Sequence, residues 1–97
     1  MGAKMFDPLL HQSIRSKLVS QLISNEHLPF KALKESLGVT DGNLSTHLSK
    51  LEKEEYVIIE KTFEGKKPKT VLRISNKGRV AFSNYIEALK VFIEEAD

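Results

Sequence analysis

Between Thr40 and Lys53 the sequence combines regularly spaced leucines with short polar side chains. On an α-helix, Leu48 and Leu51 fall within about 40° of Leu44, so the three form one apolar face. Hydroxyl and amide groups on the remaining surface can donate and accept hydrogen bonds, and lysine can pair with anions. The candidate binding residues of this segment are Thr40, Gly42, Asn43, Ser45, Thr46, His47, Ser49 and Lys50.

Side chains of this kind match what DNA presents in its major groove. An α-helix fits the groove, where each base pair shows a distinct pattern of donors and acceptors. Short polar side chains reach base edges and cations hold phosphates, while Gly42 permits close approach of the backbone. The pattern therefore predicts a DNA-reading helix over about 41–55. The alternative is a solvated helix face, but Ser and Thr are only middling helix formers, which favours a functional role.

A basic segment follows this helix. Residues 61–79 contain seven Lys or Arg residues and one acidic residue, although the whole chain carries a net charge of only +2. A local basic surface suits a polyanion, and a solvated lysine-rich loop is the alternative interpretation. The candidate contacts to the DNA backbone or minor groove are Lys61, Lys66, Lys67, Pro68 and Lys69.

Helical signals before residue 41 predict the elements that position the reading helix. Asp7 and Pro8 are typical of a helix start, which favours a first helix over about 8–24. Pro29 opens a predicted second helix over about 29–37, which Gly38 terminates. Because only a few residues separate this helix from the reading helix, residues 29–55 have the spacing of a helix-turn-helix.

After the reading helix, the sequence changes to strand patterns. β-Branched and aromatic residues predict strands over 56–63 and 70–74, with a turn over 64–69, so that about 57–74 forms a β-hairpin wing. Ser75 caps a predicted long helix over about 76–95. The expected fold is mainly α (α+β), a single winged helix-turn-helix domain over 1–97. Its element order is α-α-α-β-β-α, with room for a small extra strand.

Composition excludes several other classes of protein. With 40% apolar and 29% charged residues the chain is expected to be globular. It has no cysteine, which excludes disulfides and thiolate metal sites. No stretch approaches the roughly 18 apolar residues of a membrane span, and the start MGAKMFDPLL does not resemble a signal peptide. We expect no membrane association and a cytoplasmic location.

Neither a metal site nor an active site is expected. The three histidines, His11, His27 and His47, lie on different predicted elements at no ligand spacing, so a metal is disfavoured and His47 is interpreted as a packing residue or phosphate contact. The sequence contains no Gly-rich phosphate loop and no nucleophile-elbow motif. The sequence therefore predicts no cofactor, no catalytic residue and no enzymatic activity.

The last predicted helix suggests a homodimer. At 1.5 Å per residue it would be about 30 Å long, about as wide as a small domain. Its apolar residues continue to the C-terminal end, and an exposed apolar stripe marks an association surface. The alternative is that the helix folds back over its own domain. The candidate dimer residues are Leu9, Leu10, Tyr85, Leu89, Phe92 and Ile93.

The stretch LSTHLSKLE, residues 44–52, resembles the recognition helix of small winged-helix regulators of the MarR and ArsR type, in which a Ser-x-His-Leu-x-x-Leu pattern recurs. Over about 30–90 the chain is similar to single-domain MarR-like regulators, in which Asp-Gly-Asn-Leu-Ser opens the reading helix and a Lys/Arg-Pro-x-Thr wing leads into Gly-Arg. Such regulators bind as dimers that associate mostly through their terminal helices. This chain lacks the Cys pairs that many ArsR-like metal sensors use. The resemblance implies reading-helix roles for Asn43, Ser45, Thr46, His47 and Lys50, and wing-tip roles for Lys67, Pro68 and Lys69.

Two functional classes remain open. The first is a sequence-specific transcriptional regulator that binds double-stranded DNA as a homodimer and represses by occluding promoters. The second is a winged-helix protein-interaction module, which would expose apolar or acidic surface at these positions. RNA binding is weaker, because it usually uses stacking aromatics and Tyr56 and Phe63 are interpreted as packing residues. A cleft between dimer helices offers room for a small-molecule effector, but no residue requires one.

Overall fold

The described part of the chain consists of four helices and a three-stranded sheet. The structure, a computed structural model, describes residues 6–95. The ends of the predicted domain, 1–5 and 96–97, and half of the N-terminal stretch considered as a signal peptide lie outside these residues. The elements are α1 Ser13–Asn25, β1 His27–Pro29, α2 Phe30–Leu37, α3 Asp41–Lys53, β2 Val57–Glu64, β3 Lys67–Ile74 and α4 Asn76–Glu95.

The sheet confirms the predicted winged helix-turn-helix and includes the small extra strand. Its strand order is β1-β3-β2, and both pairings are antiparallel. β1 is three residues long and pairs His27 with Arg73 and Pro29 with Val71. The second helix therefore begins at Phe30 and not at Pro29, because Pro29 is the last residue of β1.

The wing strands are longer than predicted. Gly65 and Lys66 alone connect β2 to β3, so the predicted turn over 64–69 was too long. Gly65 has a φ of +65° at the first turn position, where a two-residue hairpin of type II′ takes glycine. Pro68 pairs with Phe63 within the ladder, along a part of β3 that β1 does not cover. Proline is tolerated there because it lies on an open strand edge.

The first helix begins at Ser13, five residues later than predicted. Asp7 does form a helical turn, since its Oδ1 accepts from the Leu9 amide at 2.9 Å and its carbonyl from the His11 amide at 2.8 Å. Gln12 then takes an extended backbone conformation and caps α1, accepting from the Arg15 amide at 2.8 Å. The chain therefore bends between the turn and the helix.

The turn that begins at Asp7 is tied to the start of the sheet. The Tyr56 hydroxyl donates to Asp7 Oδ2 at 2.5 Å. Burial and this hydrogen bond raise the pKa of Tyr56 to about 12, so the phenol stays protonated near neutral pH. The stability linked to this raised pKa is present below pH 10.0, the ordinary pKa, and is lost as the pH rises through about 12.

The core lies between α1, α2, α3 and the inner face of the sheet, with Tyr85 closing it from α4. Leucine dominates it because its side chain packs densely in well-defined rotamers. α2 adds Leu33, and the predicted glycine C-cap at Gly38 is present, with its amide 3.0 Å from Lys34 O. The largest fully buried side chains are Leu10, Leu18, Val19, Leu22, Leu33, Leu44, Leu51 and Leu72.

Candidate nucleic-acid interface

Helix α3 is fixed by its N-cap and by its leucines. Thr40 is extended, its Oγ1 accepts from the Asn43 amide at 3.1 Å, and its carbonyl accepts from the Leu44 amide at 3.0 Å. Leu44 and Leu51 are 0% exposed and Leu48 is 2% exposed. The helix ends at Lys53 and not at 55, because Glu55 adopts a φ of +64°. The predicted cap and apolar face are confirmed, so the rest of the surface of α3 faces outward.

The outward side of α3 carries short polar groups that are open to solvent. Asn43, Ser45, Thr46 and Ser49 are all exposed. The Thr46 hydroxyl donates to Gly42 O at 2.9 Å, which uses its only proton and leaves its lone pairs free. Thr46 is therefore set up to accept a hydrogen bond, such as one from the amino group of cytosine or adenine in the major groove.

The wing lies beside one flank of this polar surface. Side chains alternate along a strand, so Lys61 on β2 and its partner Thr70 on β3 share the inner face of the sheet. Together with Ser45 and Ser49 of α3 they line an open groove of about 470 Å³. Hydrogen-bonding groups on the helix and a cation on the wing thus meet across one groove.

The wing lysines differ in their ion pairing. Lys69 Nζ lies 3.6 Å from Glu64 Oε2. Lys66 and Lys67 are exposed, and among residues 6–95 neither makes an ion pair; the same holds for Lys61. Arg73 pairs with Glu60 at 3.0 Å on the other face of the ribbon. The strongest uncompensated charge of the wing therefore sits at its tip.

Phe63 corrects the packing interpretation made from the sequence. Tyr56 is 9% exposed and does pack in the core, but Phe63 is 70% exposed. The β3 partner of Phe63 is Pro68, so the inner face of the wing ends in an apolar pair. The sequence pattern predicted a partner strand that begins at Thr70 and placed Pro68 in the turn. The pairing of Phe63 with Pro68 at the open end of the wing was therefore not predicted.

His47 lies on the other flank of α3, half-buried against α1. Its Nδ1 is 3.1 Å from Arg15 Nη1, and the Arg15 Nε donates to Leu9 O at 2.7 Å. Burial, and then the charges of Arg15 and Lys50, lower the pKa of His47. In the free protein the imidazole is therefore neutral near pH 7, which agrees with the predicted role as a partly buried residue at the edge of the reading face.

Comparison with known families agrees with this geometry. The family model of the winged helix DNA-binding domain matches residues 14–93, which contain all the described helices and strands except the first residue of α1 and the last two of α4. The chain belongs to this family. An uncharacterized protein of Methanocaldococcus jannaschii is 44% identical over 78 residues, which cover 80% of this chain and 85% of that protein.

Solved structures of transcriptional regulators share the winged helix fold. A transcriptional regulator homologue from Pyrococcus horikoshii OT3 superposes with a TM-score of 0.88 at 26% identity, over 94% of this chain and 90% of that one. A point mutant of MarR from E. coli, solved in complex with operator DNA, gives a TM-score of 0.73 at 17% identity. That match covers 84% of this chain but only 58% of MarR.

Family membership confirms the coarse prediction from the sequence. The protein has the winged helix DNA-binding domain of a small regulator, similar to MarR-family regulators in fold, and it does not belong to an enzyme family. No helix of residues 6–95 combines the length and apolar character needed to cross a membrane. Within the same residues, no group of three or more potential ligands could hold a metal ion.

The predicted dimer residues of this winged helix domain fall into two groups. Leu10 is 0% and Tyr85 7% exposed, so the chain itself covers both, and they offer little area to a second copy. Leu9 and Leu89 are half-buried. The exposed members of the set lie at the C-terminal end of α4, where Phe92 is 57% and Ile93 64% exposed.

Sequence reasoning missed one cation at this interface. Arg15 reaches α3 from α1, 32 positions away in the sequence, so no local pattern could connect it with His47. The only sign of this contact in the sequence was the arginine itself, and arginines are common on the solvated faces of amphipathic helices. The structure brings Arg15, His47 and Lys50 to one flank of α3, and Ser45 and Ser49 to the other.

Proposed function

We propose that this winged-helix regulator is a sequence-specific, cytoplasmic transcriptional repressor that binds double-stranded DNA as a homodimer. In this proposal α3 enters the major groove, and the wing contacts the flanking backbone or minor groove. The observation that carries the proposal is the outward face of α3, where small hydrogen-bonding groups stay exposed beside unpaired lysines of the wing. An interaction module without DNA binding would instead expose apolar or acidic surface here.

The exposed C-terminal end of α4 supports the proposed dimer. The chain measures 54 Å along its longest axis and only 25 and 21 Å along the others. Phe92 lies on the same face of α4 as the buried Tyr85, but it loses its cover because the core ends before it. Its one aromatic neighbour among residues 6–95 is Phe6, with ring centroids 5.8 Å apart. A second copy would cover this end, and two-fold symmetry would present two reading helices to DNA.

Selection of duplexes from a random DNA pool, with sizing of the bound complex, tests this function. A dimer should enrich a two-fold symmetric motif whose half-sites lie about 10 base pairs apart, centre to centre. In vitro transcription from a promoter that overlaps this motif should fall as protein is added, because the bound dimer excludes polymerase. Absence of any enriched motif would contradict sequence-specific binding and favour the interaction module.

Substitutions on the reading face should reduce discrimination between DNA sequences. We expect Asn43→Ala, or the nearly isosteric Thr46→Val, to weaken binding to the selected motif by about 5–150-fold, corresponding to roughly 1–3 kcal/mol per lost base contact. Binding to random duplex should change little, because that binding depends on phosphates. Fluorescence anisotropy with both duplexes measures the ratio. Ser83→Ala, at an exposed position on α4, is the control. Equal losses of affinity for both duplexes in Asn43→Ala or Thr46→Val would exclude base reading.

Charge at the C-terminal end of α4 should dissociate the dimer. We expect Phe92→Glu to shift the protein from dimer to monomer in sedimentation velocity, because two-fold symmetry would bury two carboxylates in one apolar interface. Val80→Glu is the matched control, since Val80 is 61% exposed on a different face of the same helix. A Phe92→Glu variant that sediments like the wild type would remove this surface from the proposal.

A further inference from the structure

Arg15 is a cation that the proposed function has not yet used. It extends from α1 to α3, where two of its nitrogens are held by Leu9 O at 2.7 Å and by His47 Nδ1 at 3.1 Å. Among residues 6–95 no carboxylate forms an ion pair with it. A half-buried guanidinium without an acid is unusual, because a charge taken out of water is normally paired.

His47 and Lys50, both on α3, lie close to the Arg15 guanidinium or to its partner imidazole. Lys50 lies one turn beyond His47 on α3 and is exposed, and it makes no ion pair within the described residues either. The charges that act on His47 are those of Arg15 from α1 and Lys50 from its own helix, and both are positive. Two cations and an imidazole thus lie close together, and no carboxylate of residues 6–95 forms an ion pair with either cation, which creates a local positive potential suited to an anion.

We propose that Arg15, His47 and Lys50 form a site for one phosphate group of the DNA backbone, on the α1 side of the reading helix. This proposal rests on the proposed DNA-binding function and adds to it Arg15, which lies on α1, outside the helix-turn-helix and the wing. On the helical wheel His47 and Lys50 occupy the flank opposite to Ser45 and Ser49, which line the groove beside the wing. DNA lying on α3 would therefore be held by cations on both sides.

The contact between Arg15 and His47 fixes the tautomer of the imidazole before DNA binds. A guanidinium can only donate, so His47 Nδ1 must accept and the ring proton of the neutral imidazole lies on Nε2. Protonation of Nδ1 would break this hydrogen bond and place two cations in contact. The pKa of His47 is lowered accordingly, with burial as the main cause and the two cations adding to it.

A bound phosphate reverses this preference. Its negative charge favours the imidazolium, and Arg15 can turn its Nη1 from His47 to a phosphate oxygen while Nε stays on Leu9 O. DNA binding at this site should therefore take up a proton in the interval between the lowered pKa of the free protein and the higher pKa of the complex. By linkage, affinity for DNA increases as the pH falls through this interval, and it levels off above and below it.

The test compares DNA affinity at two pH values and constant ionic strength. We expect the wild type to bind a duplex of mixed sequence up to about tenfold more tightly at about pH 6 than at about pH 8, since one proton is taken up. His47→Gln keeps hydrogen-bonding groups but does not titrate, so its affinity should be the same at both pH values. His27→Gln, which removes an exposed histidine on β1, should keep the wild-type pH dependence.

Arg15→Gln tests the phosphate contact itself. It should weaken binding at both pH values and reduce the salt slope of log K by about one unit, as expected for one lost phosphate. If this variant fails to fold, the comparison of wild type with His47→Gln still decides the proposal. Equal wild-type affinity at both pH values would overturn it, as would an unchanged pH dependence in His47→Gln.

A variant of the wing distinguishes failure of the phosphate site from failure of the proposed DNA-binding function. The double variant Lys66→Ala and Lys67→Ala should bind DNA more weakly but keep the wild-type pH dependence, because both lysines lie on the wing and not on the α1 flank. If neither the wild type nor the variants bind duplex DNA, the proposed function fails. If the wild type binds DNA with pH-independent affinity, DNA binding stands and only the phosphate site fails.

Discussion

Replacing Gly78 with alanine is expected to lower the free energy of unfolding by about 3 kcal/mol, since overpacking against immobile atoms costs roughly this much. A Cβ at this position would lie 2.2 Å from Tyr56 O and 2.7 Å from Ile74 Cδ1. The carbonyl cannot move away freely, because it also accepts from the Ser75 amide at 3.0 Å. The added methyl group must therefore push α4 away from the start of β2.

The capping of α4 increases this effect. The Gly78 amide donates to Ser75 Oγ at 2.9 Å, and the same hydroxyl donates to Glu55 O at 2.6 Å. One serine thus connects the first turn of α4 to the turn that follows α3. Moving Gly78 outward strains this connection, and losing an N-cap typically costs about 1 kcal/mol.

Thermal and urea unfolding, followed by circular dichroism at a fixed protein concentration, measure the effect of Gly78→Ala. The midpoint of thermal unfolding should fall by about 15 °C, on the scale of roughly 4–8 °C per kcal/mol for a domain of this size. Gly42→Ala is the matched control, because nothing lies within 4 Å of its added Cβ. That variant should gain about 0.5–1 kcal/mol, since alanine favours a helix over glycine. Equal midpoints for Gly78→Ala and the wild type would contradict the close approach.

The sequence predicted those features that depend on neighbouring residues. The cap at Thr40, the leucine face of α3 and the bounds of α4 follow from interactions within about four residues, and the structure confirms them. β1 could not be predicted firmly from sequence alone. It has three residues, too few for a periodic pattern, and its partner Arg73 lies 46 residues beyond His27.

In the candidate interface, too, the sequence predicted the features that depend on neighbouring residues and missed those that depend on distant ones. The exposed groups of α3 could be predicted because the buried leucines fix the orientation of the helix. The Arg15 contact and the ion pair between Lys69 and Glu64 depend on tertiary geometry and side-chain conformation, which no spacing rule describes. The ion pair changes what each wing lysine is expected to contribute.

Removing Lys66 and Lys67 together should weaken binding to every duplex by about thirtyfold near 0.15 M salt, and it should reduce the salt slope by about 1.8, or 0.9 for each phosphate contact. Both lysines are exposed and unpaired among the described residues, so each is free to displace counterions from DNA. Anisotropy titrations at several salt concentrations give affinity and slope. Lys90→Ala on α4 removes the same charge away from the wing and should leave the slope unchanged.

Lys69 should contribute less than the other two, because Glu64 lies 3.6 Å from its ammonium group and already offsets part of its charge. Adding Lys69→Ala to the double variant should therefore lower the slope by less than a further 0.9. Glu64→Gln makes the opposite change: it frees Lys69 and removes a carboxylate that repels phosphate, so binding should become tighter and more salt-dependent. If Glu64→Gln weakened binding instead, the ion pair would serve to orient Lys69 toward the DNA.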